Sequence, residues 1–319
     1  ETILGFSNIT EIPKQLENVN SSTVNLTQAV DVKKTFNMVD IIIQPAILFT
    51  GIIGNIISVL VFRSTEFKNE VAFYIPAFLS TVDMFTGIIV FFDSEFYIYF
   101  FGGKISNLNF TMCKTFHYLK VFVKSTSAWA IAMMSAERFI AVKFPFKAKI
   151  YITKYKVMTA VVVCFLVEIM LNFSQLGMRS YENGQCIKSN QNRNILVILI
   201  TMLNGWLIPT STTVILNILI IIHLRRQSRI RNTLAREDRS QQFRQINVML
   251  FTIILCKFIF ELPLMIQHVL GWVRYGLSDL LDSVFMALGF AQHSINAFLY
   301  SFVSKSFRSV ILSCFRNKN

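Results

Sequence analysis

Seven long apolar segments dominate the chain, and they restrict its fold more than any other feature of the sequence. They lie at roughly 38–63, 71–98, 110–139, 155–178, 194–224, 244–271 and 279–302, and are numbered as spans one to seven. Each is long enough to cross a bilayer as a tilted helix, which takes about 20 residues. A mean hydropathy of +0.52 with only 15% charged residues is typical of a chain surrounded by lipid. The sequence therefore predicts an all-α membrane protein, a seven-transmembrane helix bundle.

The third span carries a polar stripe. Residues three or four apart share one face of a helix, and on this span they are Cys113, His117, Lys120, Lys124, Ser127, Ile131, Met134 and Arg138. An ionised side chain turned toward lipid costs about 3 kcal/mol or more. We therefore expect the third span to be central, with its stripe facing the interior of the protein.

The connections after spans one, three and five, and the tail, hold most of the basic residues, which favours a cytoplasmic position for them. Glycosylation sequons occur on the other side, at Asn8, Asn20, Asn25 and Asn109. We expect a multi-pass plasma membrane protein with its N-terminus outside. Residues 1–36 form a glycosylated extracellular tail, 37–303 the bundle, and 304–319 a short amphipathic eighth helix with the cytoplasmic tail. The net charge of +13 therefore belongs to membrane-flanking loops, and no nucleic-acid-binding motif accompanies it.

The chain has five cysteines, none with the spacing of a zinc site. Cys113 begins the third span and Cys186 lies in the loop after the fourth, so both reach the oxidising side and we expect a disulfide between them. Cys314 lies in the basic stretch after span seven. It is either a palmitoylation site or a free thiol.

Several short motifs lie at corresponding places along the spans. They are Gly54-Asn55, Leu79-Ser80-Thr81-Val82-Asp83, Tyr99-Phe100-Phe101-Gly102, Glu137-Arg138-Phe139 with Pro145 behind it, Pro209, Pro263, Asn296-Ala297-Phe298-Leu299-Tyr300, and the stretch from Ser304 to Cys314. Together they resemble the rhodopsin-like (class A) G protein-coupled receptors over nearly all of residues 38–316. The resemblance implies a receptor without enzymatic activity or a required cofactor, which binds an extracellular ligand and activates a heterotrimeric G protein.

The chain also departs from that family's pattern. Glu261 stands where a switch tryptophan is typical and Lys257 replaces an aromatic residue one turn earlier. Asn217 occupies the place of a tyrosine in span five, and Ala297 that of a proline in span seven. Similar variants occur in neuropeptide receptors expanded in invertebrates, so we expect a peptide ligand.

The resemblance implies a coupling site and an ion site. Glu137, Arg138, Asn296 and Tyr300 serve G protein coupling, with Arg138 paired to Glu137 in the resting state. Asp83, an acid in mid-span, needs a partner or a proton. By family position its neighbours are Asn55, Ser127, Asn296 and either Gln292 or His293. Asp83, Ser127 and Asn296 then hold a sodium ion, or the group is a polar network without an ion.

Lys120 and Lys124 face the ligand space, and two ammonium groups one turn apart require a neutralising partner. We predict an ion pair between Lys124 and Glu261, with Lys257 as a competing partner, and a contact from Lys120 to a ligand carboxylate or carbonyl. An acidic rim over an apolar interior suits a cationic peptide. The candidate ligand-binding residues are Asp93, Glu95, His117, Lys120, Lys124, Glu261, Gln267, His268, Asp279 and Asp282.

Other functions fit less well. A chemoreceptor for a non-peptide small molecule is the principal alternative. A transporter or channel is a remote one, because the sequence has no internal repeat. An amine receptor of this family would need an aspartate at Lys120, and an opsin a lysine at Phe290.

Overall fold

The computed structural model describes residues 38–96, 103–188, 195–231, 252, 255–256, 258–267, 270 and 279–316. Spans one to four are the helices Gln44–Phe62, Tyr74–Val90, Phe110–Lys143 and Lys154–Asn172. Span five is Ile195–Met202 continued by Ile208–Arg231, and span seven is Asp279–Ser294 followed by Asn296–Val303. The described part of span six includes the apolar helix Phe258–Gln267. Within the described chain, four helices are long and apolar enough to cross a membrane: Val39–Phe62, Val71–Asp93, Lys154–Gly177 and Leu199–Arg226.

The third span is the centre of the bundle, as its polar stripe predicts. It packs against spans two, four and five, whereas span one packs against spans two and seven. No residue of the predicted stripe is exposed, and Ser127, Met134 and Arg138 are buried. The expected single helix from Cys113 to Arg138 is confirmed and continues to Lys143.

Pro209 accounts for an irregular turn in the fifth span. Proline has no backbone N–H and its ring crowds the carbonyl four residues earlier, so a regular helix cannot run through it undisturbed. The π-helical turn Leu203–Leu207 lies directly before it. Within this turn, Asn204 accepts a hydrogen bond from Nε1 of Trp129 in the third span at 3.0 Å. The turn therefore orients a polar side chain toward the centre of the bundle.

A β-hairpin closes one end of the bundle. Strand β1 (Arg179–Glu182) pairs with β2 (Gln185–Lys188) in antiparallel register. Asn183 and Gly184 form the turn with φ of 51° and 76°, the left-handed pair that a two-residue hairpin requires. The predicted disulfide is confirmed, because Cys186 in β2 is bonded to Cys113 with a Cα–Cα distance of 5.4 Å. We call this the disulfide end, and the opposite end, which carries most of the basic residues, the basic end.

Aromatic side chains fill the core at the basic end. The ring of Phe62 lies 5.1 Å from that of Tyr300 and 5.5 Å from that of Phe307, measured between centroids. Phe307 belongs to the predicted eighth helix, Lys305–Arg316, where Lys305 and Arg308 are exposed and Phe307 is buried. The eighth helix is thus amphipathic, and its apolar face is packed on spans one and seven.

Candidate functional site

Asp93 and Lys120 form an ion pair at the disulfide end. Asp93 is fully buried, at 0% exposed, and its carboxylate also accepts hydrogen bonds from the backbone N–H of Ser106 at 2.7 Å and the Ser106 hydroxyl at 3.3 Å. Asp93, predicted to belong to the acidic rim, is thus enclosed and paired, and its contact with a ligand stays a prediction. The π-helical turn Phe91–Phe96 carries Asp93, and the ammonium of Lys120 draws the carboxylate inward as its counter-ion.

Lys124, one turn further into the membrane, contacts the seventh span. Its Nζ lies 5.6 Å from the centroid of the Phe290 ring, a cation–π distance. Among the described residues it forms no ion pair with Glu261, so that predicted pair is a wrong prediction. Lys124 therefore lies on the face of span three that is turned toward span seven. The competing partner Lys257 lies outside the described residues.

Glu261 instead borders a small cavity between spans three, five and six. The cavity is lined by Ala128, Ile131, Pro209, Thr210, Thr213, Val214, Phe258 and Glu261. The carboxylate thus lies among apolar and hydroxyl groups. It is near enough to Lys124 for their charges to interact, but the two groups are not in ion-pair contact.

The other candidate ligand residues are distributed around the disulfide end. His117 accepts a hydrogen bond at Nδ1 from Nε of Arg179 in the hairpin, at 3.4 Å. Burial lowers the pKa of Arg179, which nevertheless stays charged. Gln267 and Asp282 are half-buried on spans six and seven. The positions of His268 and of the side chains of Glu95 and Asp279 fall outside the described residues.

Asp83 lies at the centre of a hydrogen-bonded cluster that joins spans two, three and seven. Its Oδ1 accepts from the Ser127 hydroxyl at 2.7 Å and contacts Nδ1 of His293 at 2.6 Å, while Oδ2 accepts from Nδ2 of Asn296 at 2.5 Å. The carboxylate is 2% exposed. Of the two alternatives for span seven, His293 and not Gln292 contacts Asp83. Asn55 donates to the backbone oxygen of His293 at 2.9 Å and thus joins the cluster indirectly.

The hydrogen bonds to Asp83 satisfy its carboxylate without a sodium ion. A hard cation is held by oxygen lone pairs, whereas the neighbours of Asp83 turn hydrogen-bond donors toward it. The polar network without an ion is therefore the alternative that agrees with the geometry.

A second buried carboxylate, Glu168 in span four, was missed by sequence reasoning. It is 1% exposed and accepts hydrogen bonds from the Ser125 hydroxyl, from Nδ2 of Asn172 at 2.9 Å and from Nδ2 of Asn204 at 3.1 Å. The sequence does contain a signal for this site, because an acid in an otherwise apolar span is costly to bury and needs hydrogen-bonding partners. This cluster ties span four to spans three and five.

At the basic end, the predicted coupling residues are enclosed. Glu137 and Arg138 are 6% and 5% exposed and their charged groups lie 3.9 Å apart. The guanidinium also donates to the backbone oxygen of Ala72 at 3.1 Å. Asn217, which replaces a tyrosine, donates to the Ser135 hydroxyl at 3.0 Å and so links spans five and three.

The other two coupling candidates are also interior. Asn296 belongs to the Asp83 cluster, and Tyr300 is completely buried between Phe62 and Phe307. Neither presents its side chain to a partner in this conformation. Among the described side chains at this end, the most exposed apolar one is Phe146, at 94%, on the short helix Pro145–Tyr151 between spans three and four.

The predicted modification sites are mostly outside the described residues. Asn8, Asn20 and Asn25 lie there, as does the side chain of Cys314, so those modifications stay predictions. Asn109 is exposed and caps the third span, its Oδ1 accepting from the backbone N–H of Met112 at 2.8 Å. Its Nδ2, the atom that a glycan would modify, is not needed for that cap.

Comparisons with known proteins agree with this architecture. The sequence model described as "7 transmembrane receptor (rhodopsin family)" matches residues 54–300. The FMRFamide receptor of Drosophila melanogaster is 24% identical over 287 residues, which are 83% of this chain and 51% of the relative. The chain thus spans about half the length of that curated relative.

Proposed function

Because the chain belongs to the rhodopsin family of seven-transmembrane receptors, we propose that it binds a neuropeptide at the disulfide end and activates a heterotrimeric G protein at the basic end. The similarity to an FMRFamide receptor is the observation that carries the ligand class. Family members are multi-pass proteins of the plasma membrane. In our proposal the N-terminus is outside, which the exposed sequon Asn109 at the disulfide end and the basic loops at the other end support.

The acids left for a cationic peptide are fewer than the sequence indicates. Asp93 is paired with Lys120, so Asp282 and Glu261 are the candidate ligand acids with described side chains that remain outside that pair and partly exposed. An arginine of the peptide forms charge-assisted hydrogen bonds with one of them. The apolar side chains of the peptide occupy the space between spans three, six and seven.

The test is a challenge of receptor-expressing cells with short amidated peptides, FMRFamide among them, alongside acidic peptides and small volatile molecules. We expect an amidated cationic peptide to activate the receptor. We expect Glu261→Gln or Asp282→Asn to raise the peptide concentration needed for half-maximal activation about tenfold or more. A tenfold change corresponds to a loss of about 1.4 kcal/mol of binding free energy. Glu182→Gln is the matched control, since Glu182 is exposed on the hairpin. Activation by small molecules with no response to any peptide would favour the non-peptide chemoreceptor.

Coupling at the basic end requires a conformational change. In the described conformation Arg138 is enclosed by Glu137 and Ala72, so a ligand activates by stabilising a state in which this enclosure opens. Phe146, with the basic residues around it, supplies an apolar contact for the G protein.

Phe146→Ala tests this contact. We expect the maximal G protein activation to fall while surface expression stays unchanged. Phe302→Ala is the control, because Phe302 is 85% exposed and also lies toward the basic end. An equal loss in both variants, or none in Phe146→Ala, would remove Phe146 from the proposed interface.

A further inference from the structure

In the cluster around Asp83, the ring of His293 occupies the space beside the carboxylate that a bound cation would need. His293 Nδ1 contacts Oδ1 of Asp83 at 2.6 Å, and the ring is 3% exposed. We propose that the N–H of His293 occupies the place of a cation beside Asp83, so that the resting state of this receptor is independent of sodium. The proposal stands apart from the identity of the ligand.

The carboxylate of Asp83 has little acceptor capacity left for a metal. An ionised carboxylate offers about four lone-pair positions. Ser127 and His293 are directed at Oδ1, and Asn296 at Oδ2. One position, on Oδ2, remains by this count. A hard cation needs several oxygen ligands, so an ion bound here would have to turn at least one of these donors away from the carboxylate.

His293 is also held in place from its other sides. Nε2 lies 3.1 Å from Nε2 of the neighbouring Gln292. Its backbone oxygen accepts from Nδ2 of Asn55 in span one at 2.9 Å. The Gln292 contact holds the imidazole itself, and the Asn55 hydrogen bond holds the backbone that carries it. His293 is therefore fixed between spans two and seven.

Two neutral amide oxygens in this neighbourhood, Oδ1 of Asn55 and Oε1 of Gln292, are buried without a hydrogen-bond partner among the described residues. Neither amide is hydrogen-bonded to Asp83. Neutral amide oxygens alone do not make a cation site, because a hard cation also needs the charged oxygen, which is hydrogen-bonded to Ser127, His293 and Asn296. They are positions for ordered water, which commonly pairs with such buried groups.

The test needs no ligand. The melting temperature of the purified receptor is measured in sodium chloride and in N-methylglucamine chloride at equal ionic strength. We expect wild type to show no difference. His293→Ser removes the ring and leaves space next to Oδ1, and we expect this variant to melt about 2 °C or more higher in sodium, as a ligand that binds only the folded state requires.

The matched control is His223→Ser. His223 lies on span five, where Nδ1 contacts the Leu219 backbone oxygen at 3.0 Å, so its removal should create no sodium dependence. A sodium-dependent rise in wild type that Asp83→Asn abolishes would overturn the proposal. So would a His293→Ser receptor that folds and stays indifferent to sodium. If that variant does not fold, His293→Asn and the wild-type comparison still decide the question.

Discussion

Lys120 in span three and Asp93 at the end of span two neutralise each other beneath the hairpin, and Ser106 completes the site by donating two hydrogen bonds to the same carboxylate. The pair is asymmetric, because Asp93 is fully buried whereas the Lys120 side chain is 27% exposed. The carboxylate of Asp93 thus binds both Lys120 and Ser106 in the loop after span two. The lysine side chain remains partly exposed toward the ligand space.

Asp93→Asn should lower the melting temperature and the surface expression of the receptor, since it leaves the ammonium of Lys120 without its counter-ion. Breaking a fully buried pair costs about 3–5 kcal/mol, and the partial exposure of Lys120 should keep the loss below that range. The double variant Asp93→Asn with Lys120→Met should recover part of the loss. Asp282→Asn is the control, and additive single effects would show that the pair contributes no coupling.

Glu168→Leu should destabilise the receptor more than Glu168→Gln does. Leucine removes the acceptor of the Asn204 amide and of the Ser125 hydroxyl, at about 1–3 kcal/mol for each buried group. Nδ2 of Asn172 keeps the Ser125 hydroxyl and the backbone oxygen of residue 168 as acceptors. Glutamine retains one acceptor oxygen. The measurement is the melting temperature in detergent, with Met170→Leu as the control because Met170 is 75% exposed on the same span. Equal stability of the leucine variant and wild type would show that the cluster does not hold spans three, four and five together.

The main features of the fold were predictable because they depend on the helical period of the polar residues and on the length of the apolar segments. The stripe from Cys113 to Arg138 follows the helical repeat, and a polar face in a membrane must turn inward. The disulfide between Cys113 and Cys186 followed from placing both residues on one side of the bilayer. The contacts of Asp83 with Ser127 and Asn296 followed from the family positions of these residues.

The errors arose where a choice among partners depends on side-chain direction. Lys124 has Glu261 on one side and Phe290 on the other, and the sequence does not reveal which way a long flexible side chain turns. Asp93 was assigned to the rim because it lies at the outer end of span two, but the π-helical turn that carries it and its pairing with Lys120 place it inside the protein. Glu168 takes one partner, Asn172, from the next turn of its own helix. The other two, Ser125 and Asn204, come from spans three and five, which no spacing within one helix indicates.

Glu137→Gln should raise ligand-independent signalling. Glu137 and Arg138 attract each other across 3.9 Å in a buried setting, and the neutral amide weakens the enclosure that keeps the guanidinium from a G protein. Losing about 1 kcal/mol of stabilisation of the resting state raises the active fraction about fivefold, provided that this fraction is small in wild type. The measurement is basal G protein activation at matched surface expression.

Glu66→Gln is the control, since Glu66 is an exposed acid at the same end. Unchanged basal activity would mean that the contact of Arg138 with the Ala72 backbone oxygen is sufficient to hold the resting state.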